Sequence, residues 1–162
     1  MTELRIGLGV DAHAFEDGVP LVLGGVRLDH PRGLAGHSDG DVLAHALTDA
    51  LLGAAGLGDI GSLFPAGEER GEGADSLDLL ERAYGDVRAA GYALVNADCV
   101  LIGEEPRIAP HRDEMRARLA GTLGVEPGRV NVRATTTDGL GFTGRGEGLA
   151  AQAVALLRRR GS

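Results

Sequence analysis

Tryptophan is absent from this 162-residue sequence, and Phe and Tyr number only three and two. With so few aromatics, the core has to be packed mainly by Ala, Val and Leu. Cys99 is the lone cysteine, which excludes an intrachain disulfide and a thiolate metal cluster and fits a reducing compartment. Basic residues are in the minority, 16 against 24 acidic, for a net charge of -8. Tracking a nucleic-acid backbone calls for a basic surface, so nucleic acid is not the expected partner. The one tight basic cluster, Arg158-Arg159-Arg160, suits the cationic end of a last helix. No apolar run approaches the roughly 18 residues of a membrane span, and no basic segment leads into an apolar leader. A soluble, cytoplasmic protein without a membrane partner is expected. Glycine, by contrast, is plentiful at 27 residues, and 43% hydrophobic content supports one domain over 1–162.

Residues 4–10 alternate with period two, setting Leu4, Ile6, Leu8 and Val10 against Arg5, Gly7 and Gly9. This pattern predicts a half-buried strand whose apolar set faces the core and whose other face continues to Asp11 and His13. Residues 20–28 read as two short strand pieces around Gly24-Gly25. Ser38, followed three residues later by Asp41, predicts a capped helix running to about Ala55, with Leu43, Leu47, Ala50 and Ala54 inward. Asp41, His45 and Asp49 are spaced by four and share a neighbouring stripe. The Gly-rich, charged stretch 57–74 predicts a long loop. Further helices are expected over 76–91, 112–123 and 148–160, and strands over 92–102 and 130–136. The class is α/β or an α+β sandwich: a sheet of about four strands with helices on one side. Its uncovered apolar face predicts a partner subunit.

Three polar stretches carry chemistry. Asp11 and His13 project from one strand face, and His45 is the natural third ligand of a zinc site with an open position. Read from spacing alone, the same residues also fit a strand end and a polar helix stripe. His37-Ser38, just before the helix, offers a place for a phosphate at free N–H groups, or Ser38 only caps the helix. Asp41 either orients a metal-bound imidazole or solubilises the helix. Thr135, Thr136 and Thr137 precede Asp138; their hydroxyls suit phosphate oxygens and Asp138 a hard cation, although β-branching alone explains threonines in a strand. The stretch GLGFTGRGEG at 139–148 is glycine-rich but matches neither the dinucleotide fingerprint nor the P-loop. Within it Arg145 and Glu147 form an ion pair, or Arg145 meets an anion.

DAHAF at 11–15, GLAGHSDGDVLAHALTDALLGAAGLGDIGSLFP at 33–65, GAD with Ser76 at 73–76, and ATTTDGLGFTGRGEG at 134–148 closely resemble the 2-C-methyl-D-erythritol 2,4-cyclodiphosphate synthase family of the non-mevalonate isoprenoid pathway. The resemblance spans nearly the whole chain. It implies zinc at Asp11, His13 and His45, with His37 and Ser38 contacting substrate phosphates. It further implies Asp59 and Gly61 around the ribose, Asp49 near the methylerythritol, Gly103 and Arg107 at the cytidine, and Thr135 and Thr136 on the nucleotide phosphates. Asp138 corresponds to the ligand of a magnesium or manganese ion between the phosphates. Family members are homotrimers with sites between subunits, and Phe142, Arg145 and Glu147 match residues near a central cavity that can hold an isoprenoid diphosphate. The sequence departs from the family pattern at Asp138, where Glu is usual, and at Arg107, where Lys is usual. It departs again at Ala66-Gly67-Glu68 and at Glu72. The implied reaction cyclises a cytidine-diphosphate-linked substrate, with His37, Ser38, Asp41, Thr136 and Asp138 as the expected catalytic residues; a zinc phosphohydrolase and a non-catalytic binding module are the rival classes.

Overall fold

A computed structural model of the chain describes residues 3–36, 38–63 and 75–161. Strand β1 (Leu4–Asp17) leads into the hairpin of β2 (Leu21–Leu23) and β3 (Val26–Leu28), then β4 (Arg32–Leu34). Helix α1 (Val42–Ala55), the single turn α2 (Ile60–Leu63) and α3 (Ser76–Ala89) follow. The chain continues through β5 (Tyr92–Ile102), α4 (Arg112–Leu123), β6 (Val130–Thr135), the single turn α5 (Gly141–Gly144) and β7 (Gly148–Arg159). The main sheet runs in the order β4-β1-β7-β5-β6, mixed because β5 and β6 are parallel while the other pairs are antiparallel. Helix α3 packs against both α1 and α4, and all three pack against the sheet.

Among the described residues the main sheet has five strands rather than about four: the expected last helix is a strand, β4 adds an edge beside β1, and the β2–β3 hairpin forms a sheet of its own. Ala, Leu and Arg are good helix formers, but β7 lies between β1 and β5 and pairs with both along nearly its full length. Ladder hydrogen bonds on two sides outweigh local propensity. The period-two signal is present in the burial: Ala151, Ala153, Ala155 and Leu157 are buried while Gln152 and Val154 are exposed. Consequently Arg158 and Arg159 end a strand, and Arg159 Nε donates to Glu3 Oε2 at 2.8 Å.

The face of β1 is also the reverse of the expectation. Leu4, Ile6, Leu8 and Val10 are 58, 72, 63 and 55% exposed, whereas Gly7 and Gly9 are buried beneath α1. A Cβ on Gly7 would lie 2.0 Å from the Ala50 carbonyl oxygen, and one on Gly9 would lie 1.9 Å from that of Ala46. The helix therefore rests on bare backbone, and closeness of approach, not hydrophobicity, selects the covered face. Asp11 and His13 continue this covered face and so point toward α1.

The start of α1 needs a correction too. Asp41, not Ser38, is the N-cap: its carboxylate accepts from Ala44 N at 3.0 Å. The same carboxylate accepts from Gly24 N and Gly25 N at 2.9 and 2.7 Å, tying the β2–β3 turn to the helix end. Gly56, at φ 72°, closes α1 in the left-handed conformation. Elsewhere the hairpin, α3, β5, α4 and β6 fall within two residues of their expected bounds.

Candidate metal and phosphate site

Two elements build the densest polar cluster. Period two on β1 sets Asp11 and His13 on one face, and α1 lowers His45 toward them from its first turn. Asp11 Oδ2 lies 3.1 Å from His13 Nε2 and 3.1 Å from His45 Nδ1. One ligand atom from each of the three residues lies within 4.8 Å of the others. Among the described residues this is the one group of three or more His, Cys, Asp or Glu side chains so arranged.

The electrostatics favour positive charge here. Burial by itself raises the Asp11 carboxyl, but the His13 and His45 imidazoles close beside it outweigh that effect and hold the group at about 2. The Asp11 carboxylate in turn raises the His13 imidazole against the opposing effect of burial, with a smaller contribution from the Ala35 backbone. His13 Nε2 is buried and, although close to Asp11, forms no aligned hydrogen bond. An ionised carboxylate, a buried nitrogen lacking a bond and a second imidazole form a donor set that a borderline divalent cation satisfies.

His45 is held from behind by residues to which sequence reasoning gave no role. Its Nε2 meets Ser76 Oγ at 2.8 Å, and Ser76 Oγ donates in a short hydrogen bond to Asp39 Oδ1. Asp39 Oδ2 accepts from Ser76 N at 3.0 Å. Asp41, a candidate for orienting the imidazole, does not: its carboxylate is fully buried and spent on three backbone N–H groups. Desolvation pushes that carboxyl up to about 6 in spite of those donors.

The other expected residues divide into two regions. Ser38 Oγ accepts from Gly40 N at 3.1 Å, bracing the turn before the helix; His37 lies outside the described residues, as do Ala66-Gly67-Glu68 and Glu72. Asp49 Oδ1 accepts from Ile60 N at 2.8 Å, linking α1 to α2, and burial raises its pKa. Asp59 accepts from Ser62 N and Oγ at 2.8 and 3.0 Å, which shapes the turn containing Gly61.

Gly103, Arg107, Thr135 and Thr136 come together around a cavity of about 340 Å³, where Glu104 and Arg112 also lie. Arg112 was read only as a helix start; nothing in its spacing marked it as a cavity residue. Gly103 N donates to the Thr135 carbonyl at 3.0 Å, joining the ends of β5 and β6, and Glu104 Oε1 accepts from Gly139 N at 3.0 Å. Of the three threonines, Thr137 is internal to the loop, bonded to Leu140 O at 2.6 Å and Thr143 Oγ1 at 2.9 Å. Thr135, Thr136 and Asp138 are exposed. Asp138 sits at φ 53°, a left-handed position that Asp tolerates, 3.3 Å from Thr136 Oγ1. Phe142 is 44% exposed on α5, and Arg145 Nε pairs with Glu147 Oε2 at 2.8 Å.

The structure does not bring Asp138 to the histidines. Strands β1 and β6 are three positions apart, about 14 Å at the usual spacing of strands. One chain thus presents a cation-seeking cluster at one place and a hydroxyl-lined cavity at another.

Comparison with known proteins is consistent across sequence and fold. The chain is 59% identical to the 2-C-methyl-D-erythritol 2,4-cyclodiphosphate synthase of Moorella thermoacetica, over 97% of this chain and 96% of that protein. The bifunctional IspDF of Campylobacter jejuni superposes with a TM-score of 0.94 at 45% identity, over 98% of this chain and 43% of that longer one. A solved 2C-methyl-D-erythritol-2,4-cyclodiphosphate synthase in a CDP-bound form gives a TM-score of 0.85 at 41% identity, covering 94% of this chain and 99% of that one. The model of the YgbB family matches residues 4–158. With that match and these relatives, the chain belongs to the YgbB family.

Proposed function

We propose that this chain converts 4-diphosphocytidyl-2-C-methyl-D-erythritol 2-phosphate into 2-C-methyl-D-erythritol 2,4-cyclodiphosphate and CMP. It is an enzyme of the phosphorus-oxygen lyase type, acting in isoprenoid synthesis. The observation that carries the reading is the convergence of Asp11, His13 and His45, whose ligand atoms lie within 4.8 Å, in a chain so similar to named synthases. Asp11, His13 and His45 would hold zinc, and Asp138 would hold magnesium or manganese. When bound, these cations polarise phosphoryl oxygens and offset the charge that develops on them.

In this reaction an oxygen of the substrate's 2-phosphate forms a bond to the β-phosphorus, and the bond from that phosphorus to the oxygen shared with CMP breaks. No protein nucleophile is needed; Ser76, whose Oγ meets His45 Nε2, is 1% exposed and gives its proton to Asp39. The chain's task is to bend the substrate into line. Gly103 and Arg107 hold the cytidine, and Thr135 and Thr136 donate hydroxyl hydrogens to the nucleotide phosphates. His37 and Ser38 contact the phosphates near the zinc ligands. Asp59 and Gly61 face the ribose and Asp49 the methylerythritol. Asp41 acts on the chemistry by fixing the start of α1.

A homotrimer completes the site. The distance between β1 and β6, together with the exposed row of Leu4, Ile6, Leu8 and Val10, supports a site in which the hydroxyls of one subunit meet the zinc ligands of another. Phe142, Arg145 and Glu147 then border a central cavity suited to an isoprenoid diphosphate. Each subunit is one domain over 1–162. No described helix is long and apolar enough to cross a membrane.

Phosphorus NMR of the reaction with the cytidylated substrate, zinc and magnesium is the deciding experiment. A cyclic diphosphate plus CMP is expected; linear phosphates would instead identify a zinc phosphohydrolase.

A further inference from the structure

The back of the metal cluster holds a hydrogen-bonded chain whose polarity can be worked out proton by proton. Asp39 accepts from three donors: Oδ1 receives Ser76 Oγ–H and Asp41 N–H, the latter at 3.1 Å, and Oδ2 receives Ser76 N–H at 3.0 Å. A serine hydroxyl has one proton to give. Because Ser76 gives it to Asp39, its oxygen can only accept from His45 Nε2, 2.8 Å away. His45 Nε2 therefore carries hydrogen, and in the neutral ring the lone pair lies on Nδ1. That lone pair faces Asp11 Oδ2 at 3.1 Å, an arrangement that is repulsive unless something positive lies between them.

We propose that Ser76 and Asp39 are positioning residues for the metal ligand His45: they lock its imidazole into the Nε2–H tautomer and aim Nδ1 at the cation. The proposal rests on the reading of Asp11, His13 and His45 as metal ligands. Ser76 is 1% exposed, so water cannot readily substitute for its hydroxyl. It is also the first residue of α3, where Asp75, not Ser76, supplies the cap by accepting from Leu77 N at 2.8 Å. The Ser76 hydroxyl is therefore free of the usual duty of a serine at a helix start. Asp39 reaches it from the segment before α1, so one short relay joins α3 to a ligand on α1.

The partners behind metal-binding histidines typically contribute 10- to 100-fold in metal affinity. The test is zinc titration of the full chain against a competing chelator, with the visible spectrum of the cobalt-substituted protein as a report on ligand geometry. The variants are Ser76→Ala, Ser76→Thr, Ser76→Val and Asp39→Ala, with His45→Ala as the control. Thr and Val have nearly the same shape but only Thr has a hydroxyl, so their difference separates hydrogen bonding from packing. Expected results are near-native zinc affinity and cobalt bands for Ser76→Thr, and about 10- to 100-fold weaker zinc with altered bands for Ser76→Ala, Ser76→Val and Asp39→Ala. Proton–nitrogen correlation spectra of the zinc-loaded native protein should find the His45 proton on Nε2. Equal affinity and spectra for Thr, Val and Ala overturn the proposal, as does equal weakening of Thr and Val, or a proton on Nδ1. If His45→Ala binds zinc as the native chain does, it is the ligand assignment itself that fails.

Discussion

The cluster on β1 and α1 and the tip of β6 are built to different standards. Asp11, His13 and His45 are partly or fully buried, and both ring nitrogens of His45 have polar neighbours. Thr135, Thr136 and Asp138 are exposed, and Thr136 and Asp138 bond chiefly to each other. A folded single chain thus preorganises the three residues close enough to hold a metal ion but leaves the hydroxyls proposed to meet phosphate exposed. The difference fits the cost of misplacement: metal ligands tolerate a few tenths of an ångström, whereas hydroxyls rotate to suit.

The largest expected effect breaks the organised side. His45→Ala should release zinc and lower kcat by at least about 100-fold, the scale of several kcal/mol of electrophilic stabilisation, while circular dichroism stays native. Retention of one zinc per chain by elemental analysis, with normal turnover, would refute the ligand assignment. Gly9→Val attacks the same side through its support. A Cβ placed 1.9 Å from the Ala46 carbonyl oxygen must push α1 from β1, at a cost of roughly 1–3 kcal/mol or more in urea unfolding, with weaker zinc binding. An unchanged urea midpoint would mean that the helix seat is soft.

On the outer face of the same strand, Ile6→Asp should leave the fold of the single chain intact, since the side chain is 72% exposed, but disrupt the proposed trimer in sedimentation. Sedimentation as an unaltered trimer would remove this face from the interface. At the less organised side, Asp138→Glu should shift the magnesium concentration for half-maximal activity by a few fold and leave the KM for the nucleotide substrate within about twofold. Identical metal titrations for the two proteins would disconnect residue 138 from the cation. The smallest effect is expected for Glu147→Gln: its ion pair with Arg145 is 58–61% exposed, so chemical unfolding should change by less than about 1 kcal/mol. A larger loss would show that this loop is more tightly coupled to the fold than its exposure suggests.

Period two on a strand set Asp11 and His13 on one face, but His45 stands 34 residues from Asp11, and its place beside them was implied by the family resemblance, since spacing alone also fitted a strand end and a polar helix stripe. The Ser76–Asp39 relay had no such guide, since the resemblance attached no role to either residue. Thirty-seven residues separate the pair, and a serine at a helix start reads as a cap. Strand β7 was misread since its alanines and leucines prefer helix when no neighbours are considered, yet it has partners on both sides. The inverted face of β1 has a subtler cause. An apolar stripe indicates a surface that seeks cover, but it does not say whether the cover comes from the same chain. Asp41 illustrates a third limit, for a carboxylate near a functional histidine can be wholly committed to backbone N–H groups from another hairpin.

The glycine seat under α1 bears on how such a site is copied. A designer who transplanted only Asp11, His13 and His45 onto another strand and helix would meet a helix held farther off by the methyl groups at the positions of Gly7 and Gly9, and the imidazole of residue 45 would fall short of the carboxylate. Two side chains that do not exist belong to the specification of this centre as much as the three that do.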